Sequence, residues 1–178
     1  MYISNEIAND ERKQETHKKI MKSLPQFKQT YEFFRKKYSL PEYEFMNETF
    51  EIEILCEIET ELFLKRIRKQ VAEKISAGLR TLEMFLNAQN APLFVFNIIK
   101  SFDASDKEVI NGLYRMFAEF EIEAFSLENK YDEKKEAEFI KKVCSKWQNI
   151  TEDMSKINEA MFIGFKKDPK SNEKSYFG

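Results

Sequence analysis

The stretch IKKVCSKWQNITEDMSKINEAM, residues 140–161, decides how this chain is read. Its large apolar residues are Ile140, Val143, Trp147, Ile150, Met154, Ile157 and Met161, stepping by 3, 4, 3, 4, 3 and 4. That is an a/d stripe sustained over three heptads, the pattern of a long amphipathic helix whose apolar side is covered by other helices. The stripe carries Val143, Ile150 and Ile157 with no Asn or Lys, the usual device for fixing register between separate chains. The expectation is a stripe buried within the chain's own core, with Trp147 largely buried among the rest.

A second stripe lies near the other end of the sequence. His17, Ile20, Leu24, Phe27, Tyr31, Phe34 and Tyr38 repeat the 3–4 spacing. Pro25 interrupts it, and Ser23 with Gln26 has capping-box spacing, so two nearly collinear helices with a bend near Ser23 are expected. Leu64, Ile67, Val71, Ile75, Leu79, Leu82 and Leu86 form a third stripe. Asn90 and Pro92 suit the start of a short helix, apolar all round, over Leu93–Phe102. Ser105 and Glu108 have the spacing of a capping box opening the next helix, and Asp132 opens the last.

Between these elements the period is ambiguous. In 42–55 the runs EYEF and FEIEIL alternate as strands do, and EFEIEAFSLE near 119–128 does the same. Yet Met46, Phe50, Ile54, Ile58 and Leu62 keep helical spacing, and Glu is a better helix former than strand former. Helix is favoured, with a short β-hairpin near 42–55 as the competing reading. The fold expected is all-α: one helical bundle of about five or six helices over residues 1–163, with long amphipathic first and last helices. A mobile, Lys-rich tail is expected over 164–178.

Composition agrees with this reading. Only four Gly and four Pro in 178 residues leave room for long regular elements, and 17 Phe supply an aromatic core. A formal net charge of −2 implies neither polyanion binding nor a strongly acidic partner. Cys56 and Cys144 stand alone, as reduced thiols do in a cytoplasmic protein. The N-terminal stretch has no apolar signal-peptide core, and LFVFNII (93–99) is far too short to span a bilayer.

Candidate chemistry is sparse. His17 is the sole histidine, so neither a His-based metal set nor a di-iron bundle can be assembled. Eight Glu and no Lys or Arg fall between Pro41 and Leu64. Glu53, Glu57 and Glu61 would share a helical face, read as solvated or paired in preference to metal-binding. The basic residues Arg35, Lys36 and Lys37 lie beside aromatics in FFRKKY, and Lys65, Arg66, Arg68, Lys69 and Lys74 follow the acidic run. Cations beside aromatics are what nucleic-acid binders present. On amphipathic helices they are more often solvated or paired faces. Without a phosphate loop or nucleophile motif, an enzyme is the weaker class, and no cofactor is implied. The leading expectation is a cytoplasmic, non-enzymatic helical protein. It would bind another protein, or a second copy of itself, through a face in Phe33–Tyr38 or Phe117–Phe125. A helical nucleic-acid-associated protein is the alternative, with contacts at Arg35, Lys36, Lys37, Lys65, Arg66, Arg68 and Lys69.

Overall fold

The computed structural model describes residues 23–57, 61–87 and 92–167. His17 and Ile20, the cap at Asn90, Ile58 and the stretch 168–178 lie outside them. The described elements are helical throughout. Helix α1 covers 23–38, followed by α2 (Tyr43–Phe50), a 3₁₀ helix (Ile52–Glu57), α3 (Phe63–Leu86), α4 (Leu93–Ile99), α5 (Ala104–Ser126) and α6 (Glu133–Lys167). Among the described residues there is no strand. The alternating run at 42–55 is α2 plus the 3₁₀ turn, and the one at 119–128 continues α5.

The helical reading of 42–62 nevertheless needs one correction, because the expected stripe does not run through. Glu51 adopts a left-handed conformation (φ 56°), and its N–H bonds to the Asn47 carbonyl, which terminates α2. Met46 and Phe50 are buried before this break, whereas Ile54 and Leu62 beyond it are exposed. Ser39 (φ 54°) ends α1 in the same way, with the Leu40 N–H reaching back to the Arg35 carbonyl at 3.2 Å. This six-to-one bond is that of a Schellman cap, and the following Pro41 prevents the helix from resuming.

The chain's contacts sort into two compact units, whose division falls inside α3 and α6. The first comprises Met1–Val71 with Leu127–Lys141. Its described core is aromatic. Phe34 stacks on Phe63 with ring centroids 5.4 Å apart, Phe27 meets Phe63 at 5.2 Å, and Tyr31 meets Tyr43 edge-on at 5.6 Å. Phe27 and Tyr31 of the α1 stripe are therefore core residues, as are Leu64, Ile67 and Val71 of α3. The Tyr31 hydroxyl donates to the Pro41 carbonyl at 2.9 Å and so ties α1 to the loop that follows it.

The second unit comprises Ala72–Ser126 with Lys142–Gly178. Ile75, Leu82 and Phe85 of α3, Val95 and Ile98 of α4, and Ile110, Leu113, Phe117 and Phe120 of α5 are buried here. So are Val143, Ile150 and Ile157 of α6. The opening stripe is thus buried within the chain, but unevenly. The heptad row Val143/Ile150/Ile157 is inside, while Trp147, Met154 and Met161 are half-buried. Trp147, expected to be largely buried, has intermediate exposure. A straight α-helix drifts about 20° per heptad against a strict seven-residue repeat. Only one of the two rows can stay centred on the core, and the indole falls at its edge.

Two further corrections concern helix ends. Helix α5 opens with a capping box, but two residues upstream of Ser105. The Asp106 N–H bonds Asp103 Oδ1 at 2.9 Å, and the Asp103 N–H bonds Asp106 Oδ2 at 3.0 Å. Carboxylates at this reciprocal spacing satisfy two orphan donors and also favour the positive helix end. Helix α6, capped by Asp132 Oδ1 on the Lys134 and Lys135 N–H groups, runs to Lys167, so 164–167 are helix and not tail. Gly164 is a packing residue. It is buried, and a Cβ there would collide with the Ser101 side chain.

The two other helical glycines differ in kind. A Cβ on Gly78 would overlap the Phe117 ring, whereas one on Gly112 would meet nothing within 4 Å. Gly78→Ala should therefore destabilise by about 1–3 kcal/mol through overpacking. Gly112→Ala should stabilise by roughly 0.5–1 kcal/mol through helix propensity alone. Urea melts of the two variants check the opposite signs.

Candidate functional site

The seven basic residues expected as contacts all fall in the first unit, Lys74 lying in the second, and most of the seven are used internally. Arg68 is the centre. Its guanidinium is 3% exposed, and Nε donates to Glu136 Oε2 at 2.9 Å, with the Glu136 side chain fully buried. Nη2 donates to Glu128 Oε1 at 2.7 Å. Lys65 and Lys69 reach Glu128 Oε2 at 3.2 and 3.4 Å. Three cations thus converge on one carboxylate near the start of the α5–α6 connection, and one of the three is clamped between that carboxylate and a second on α6.

On α1, Arg35 bonds both carboxylate oxygens of Glu32, at 2.9 and 3.0 Å, and Glu42 at 2.6 Å. Lys37 and the Tyr38 hydroxyl both donate to Glu133 in the first turn of α6, where the helix dipole favours a negative charge. Lys36 and Arg66 are exposed and have no ion pair among the described residues. Five of the seven candidate cations are therefore paired with carboxylates. The neighbouring Phe33 is exposed and in edge contact with Phe34, with Lys37 Nζ 6.0 Å from its ring centre.

Partial burial pushes the Glu128 carboxyl up, but hydrogen bonds from Arg68, Lys65 and Lys69 outweigh it and hold the group at about 2. In the unfolded chain a Glu titrates near 4.3. The folded value is the lower one, so the stabilisation is complete above the unfolded value and is lost as pH falls towards about 2.

Among its described residues the acidic run forms no cation cage. Glu53 accepts from the Asn47 amide at 3.0 Å and from the Tyr43 hydroxyl at 3.4 Å, while its own N–H bonds Asn47 Oδ1. Burial, and then the Glu53 charge, push the Tyr43 hydroxyl upward. Glu61 lies in a bend before α3, off any helix shared with Glu53. No group of three His, Cys, Asp or Glu suited to a metal ion occurs among the described residues. Neither cysteine forms a disulfide, and burial pushes the Cys144 thiol up to about 12, so it is protonated at neutral pH and a poor nucleophile.

Among the described residues, most of the large exposed apolar side chains belong to the second unit. Ile122 and Phe125, one turn apart on α5, are 71% and 75% exposed. Phe162 and Phe165, one turn apart on α6, are 67% and 66% exposed, with Ile163 between them also exposed. Met84 and Leu86 are exposed at the end of α3 and line a groove of about 640 Å³ with Arg80, Glu83, Asn87 and Tyr114. The α5 pair lies in a segment the sequence marked as a partner face. The α6 pair lies outside the segments expected as a partner face, because the tail is expected to begin at residue 164. The signal available was the i,i+3 spacing of Phe162 and Phe165. None of the described helices is long and apolar enough to cross a membrane.

Comparison of the chain with protein-family models, with curated protein sequences and with solved structures finds no match in any of the three.

The pairing makes a contrast testable. Glu136→Ala strands a buried guanidinium and should cost about 3–5 kcal/mol. Lys69→Ala removes a half-exposed arm of the same network and should cost less than about 1 kcal/mol. In acid titrations the parent should lose stability between about pH 4.3 and 2, and Glu128→Gln should flatten that slope. Denaturant melts at several pH values measure both.

Proposed function

We propose that this protein is a non-enzymatic helical interaction module: a helical bundle that binds a protein partner through apolar side chains left exposed on α5 and α6. The carrying observation is the pair Ile122 and Phe125, more than 70% exposed on a helix whose opposite face is core. Large apolar residues exposed as a spaced pair on one helix face are the anchors of helix-in-groove recognition. Aromatic side chains are also enriched where interfaces concentrate their binding energy. The described residues offer little to support catalysis, since their carboxylates of note are engaged in ion pairs and their thiols are shielded.

A nucleic-acid role has less support. Binding to a phosphate backbone rests on cations that can release counterions. Arg35, Lys37, Lys65, Arg68 and Lys69 already face carboxylates at 2.6–3.4 Å. Lys36, Arg66 and Lys74 are the other exposed cations of those two clusters, few for strong retention. At low salt the chain should bind single-stranded nucleic acid weakly or not at all, and Lys36→Glu with Arg66→Glu should change that little. Tight, steeply salt-dependent binding lost in this double variant would reverse the ranking of the two readings.

The interaction reading is tested with Ile122→Glu and Phe125→Glu combined. The variant should keep its helical circular dichroism and melting temperature, because both side chains are exposed. It should lose the proteins that the parent chain retains on an affinity matrix. Retention of the same proteins by parent and variant would refute the reading.

A further inference from the structure

The packing of the second unit gives no reason for a glycine at 112. Inside a helix, glycine is destabilising relative to alanine, and one use that offsets this is the close approach of another group to the backbone. Gly78 and Gly164 each have such a neighbour within the fold, the Phe117 ring and the Ser101 side chain. Gly112 has none, since a Cβ there would meet nothing within 4 Å. It is exposed, and it lines a groove of about 290 Å³ with Arg115, Met116, Glu119 and Phe120 of α5 and Lys142 and Lys146 of α6.

Helical spacing builds this groove. Residues 112, 115, 116, 119 and 120 share one face of α5, and 142 and 146 lie one turn apart on α6. Phe120 is buried and Met116 half-buried, so they form its apolar side, while Arg115, Glu119, Lys142 and Lys146 are exposed. Lys142 donates to Glu123 at 2.6 Å and lies 5.8 Å from the Phe120 ring centre, so its charge is answered within the fold. Arg115, Lys146 and Glu119 form no ion pair among the described residues. Two cations therefore face one carboxylate across the groove. With the Lys142–Glu123 pair counted as well, the positive charges still outnumber the negative ones.

We propose that this groove binds a small phosphate-bearing anion, held by Arg115 and Lys146 and seated against the bare backbone at Gly112. A guanidinium offers phosphate oxygens two parallel hydrogen bonds, and an ammonium group adds a point charge from the facing helix. The missing Cβ at 112 leaves room for the ligand beside α5, which is the use of glycine that the fold itself does not supply. At about 290 Å³ the groove stands at the small end of ligand pockets, large enough for a phosphate and a small attached group. Glu119 opposes the anion and keeps its affinity modest. The proposal is independent of the interaction reading above.

Titration of the full chain with inorganic phosphate, followed by amide NMR shifts at constant ionic strength, tests this. The shifts should saturate and should centre on residues 112–119 and 142–146. Gly112→Ala should raise the urea midpoint yet weaken phosphate binding by about tenfold, because the added methyl group occupies the ligand's place. Stability and binding then move in opposite directions, which a purely structural role for this glycine does not produce. Arg115→Gln and Lys146→Gln should each weaken binding with the helical signal unchanged, and Glu119→Gln should strengthen it. Phosphatidylcholine vesicles with and without phosphatidic acid separate the two sources of such a phosphate. Sedimentation with the acidic vesicles alone, lost in Arg115→Gln, assigns the site to a lipid headgroup. Saturable phosphate binding without sedimentation assigns it to a free phosphate ester. Shifts that never saturate, or that spread evenly over the exposed lysines, overturn the proposal, as does equal affinity in Gly112→Ala and the parent. Should Gly112→Ala fail to fold, unchanged affinity in both Arg115→Gln and Lys146→Gln overturns it instead.

Discussion

One buried guanidinium constrains the first unit. Arg68 lies on a face of α3 otherwise made of Leu64, Ile67 and Val71, and it is nearly inaccessible to solvent. A charge in that position is tolerated only if it is paired and hydrogen-bonded. Glu136 and Glu128 do this from two directions, and each can do so only when the start of α6 and the connection before it lie against α3. The geometry demanded is narrow, since a planar fork must meet two carboxylates at 2.7 and 2.9 Å. Such pairs contribute little net stability against a well-packed apolar substitute. Their value lies in specifying which helices meet and in what register. Lys65 and Lys69, more exposed, add to the electrostatic bias on Glu128.

Much of the fold was legible because α-helices advertise their buried face. The stripes at Phe27–Tyr31, Leu64–Leu82 and Val143–Ile157 were readable as periodicity, and burial follows them. Helix ends were less legible. Asp103 and Asp106, not Ser105 and Glu108, form the α5 cap. Both pairs have the right spacing, and only the geometry of the preceding turn selects between them. Glu51 was invisible as a break, because nothing in its residue type predisposes it to a left-handed conformation. A Gly or Asn there would have announced the end of α2.

The basic clusters show a different limit. Arg35, Lys37, Lys65, Arg68 and Lys69 read as a surface because sequence shows only neighbours in the chain, and their local neighbours are mostly basic or aromatic. Their partners are Glu32, Glu42, Glu128, Glu133 and Glu136, and for all but Arg35 these are 59 or more positions away. Charge patterning along one helix cannot report pairing across such a distance. The exposed strips were half legible for the same reason. Phe117–Phe125 was recognisable as rich in large apolar residues, but which of them face outward depends on where α3 and α6 pack: Phe117 and Phe120 are covered, and Ile122 and Phe125 are not.

The separation of Arg68 from its carboxylates also bears on how the chain is made. Glu128 and Glu136 follow Arg68 by 60 and 68 positions. A ribosome adding 5–20 residues per second therefore delivers them roughly 3–14 s after the arginine. Throughout that interval α1, α2 and the first turns of α3 exist without the acids that would let the guanidinium be buried. The nascent first unit must keep Arg68 in water, and its aromatic layer cannot close completely over that flank. Emergence of residues 127–141 then supplies both missing charges within a few residues of each other. Closure of this unit is tied by chain order to synthesis of the last helix, and the intervening segment, 72–126, is free to begin folding first.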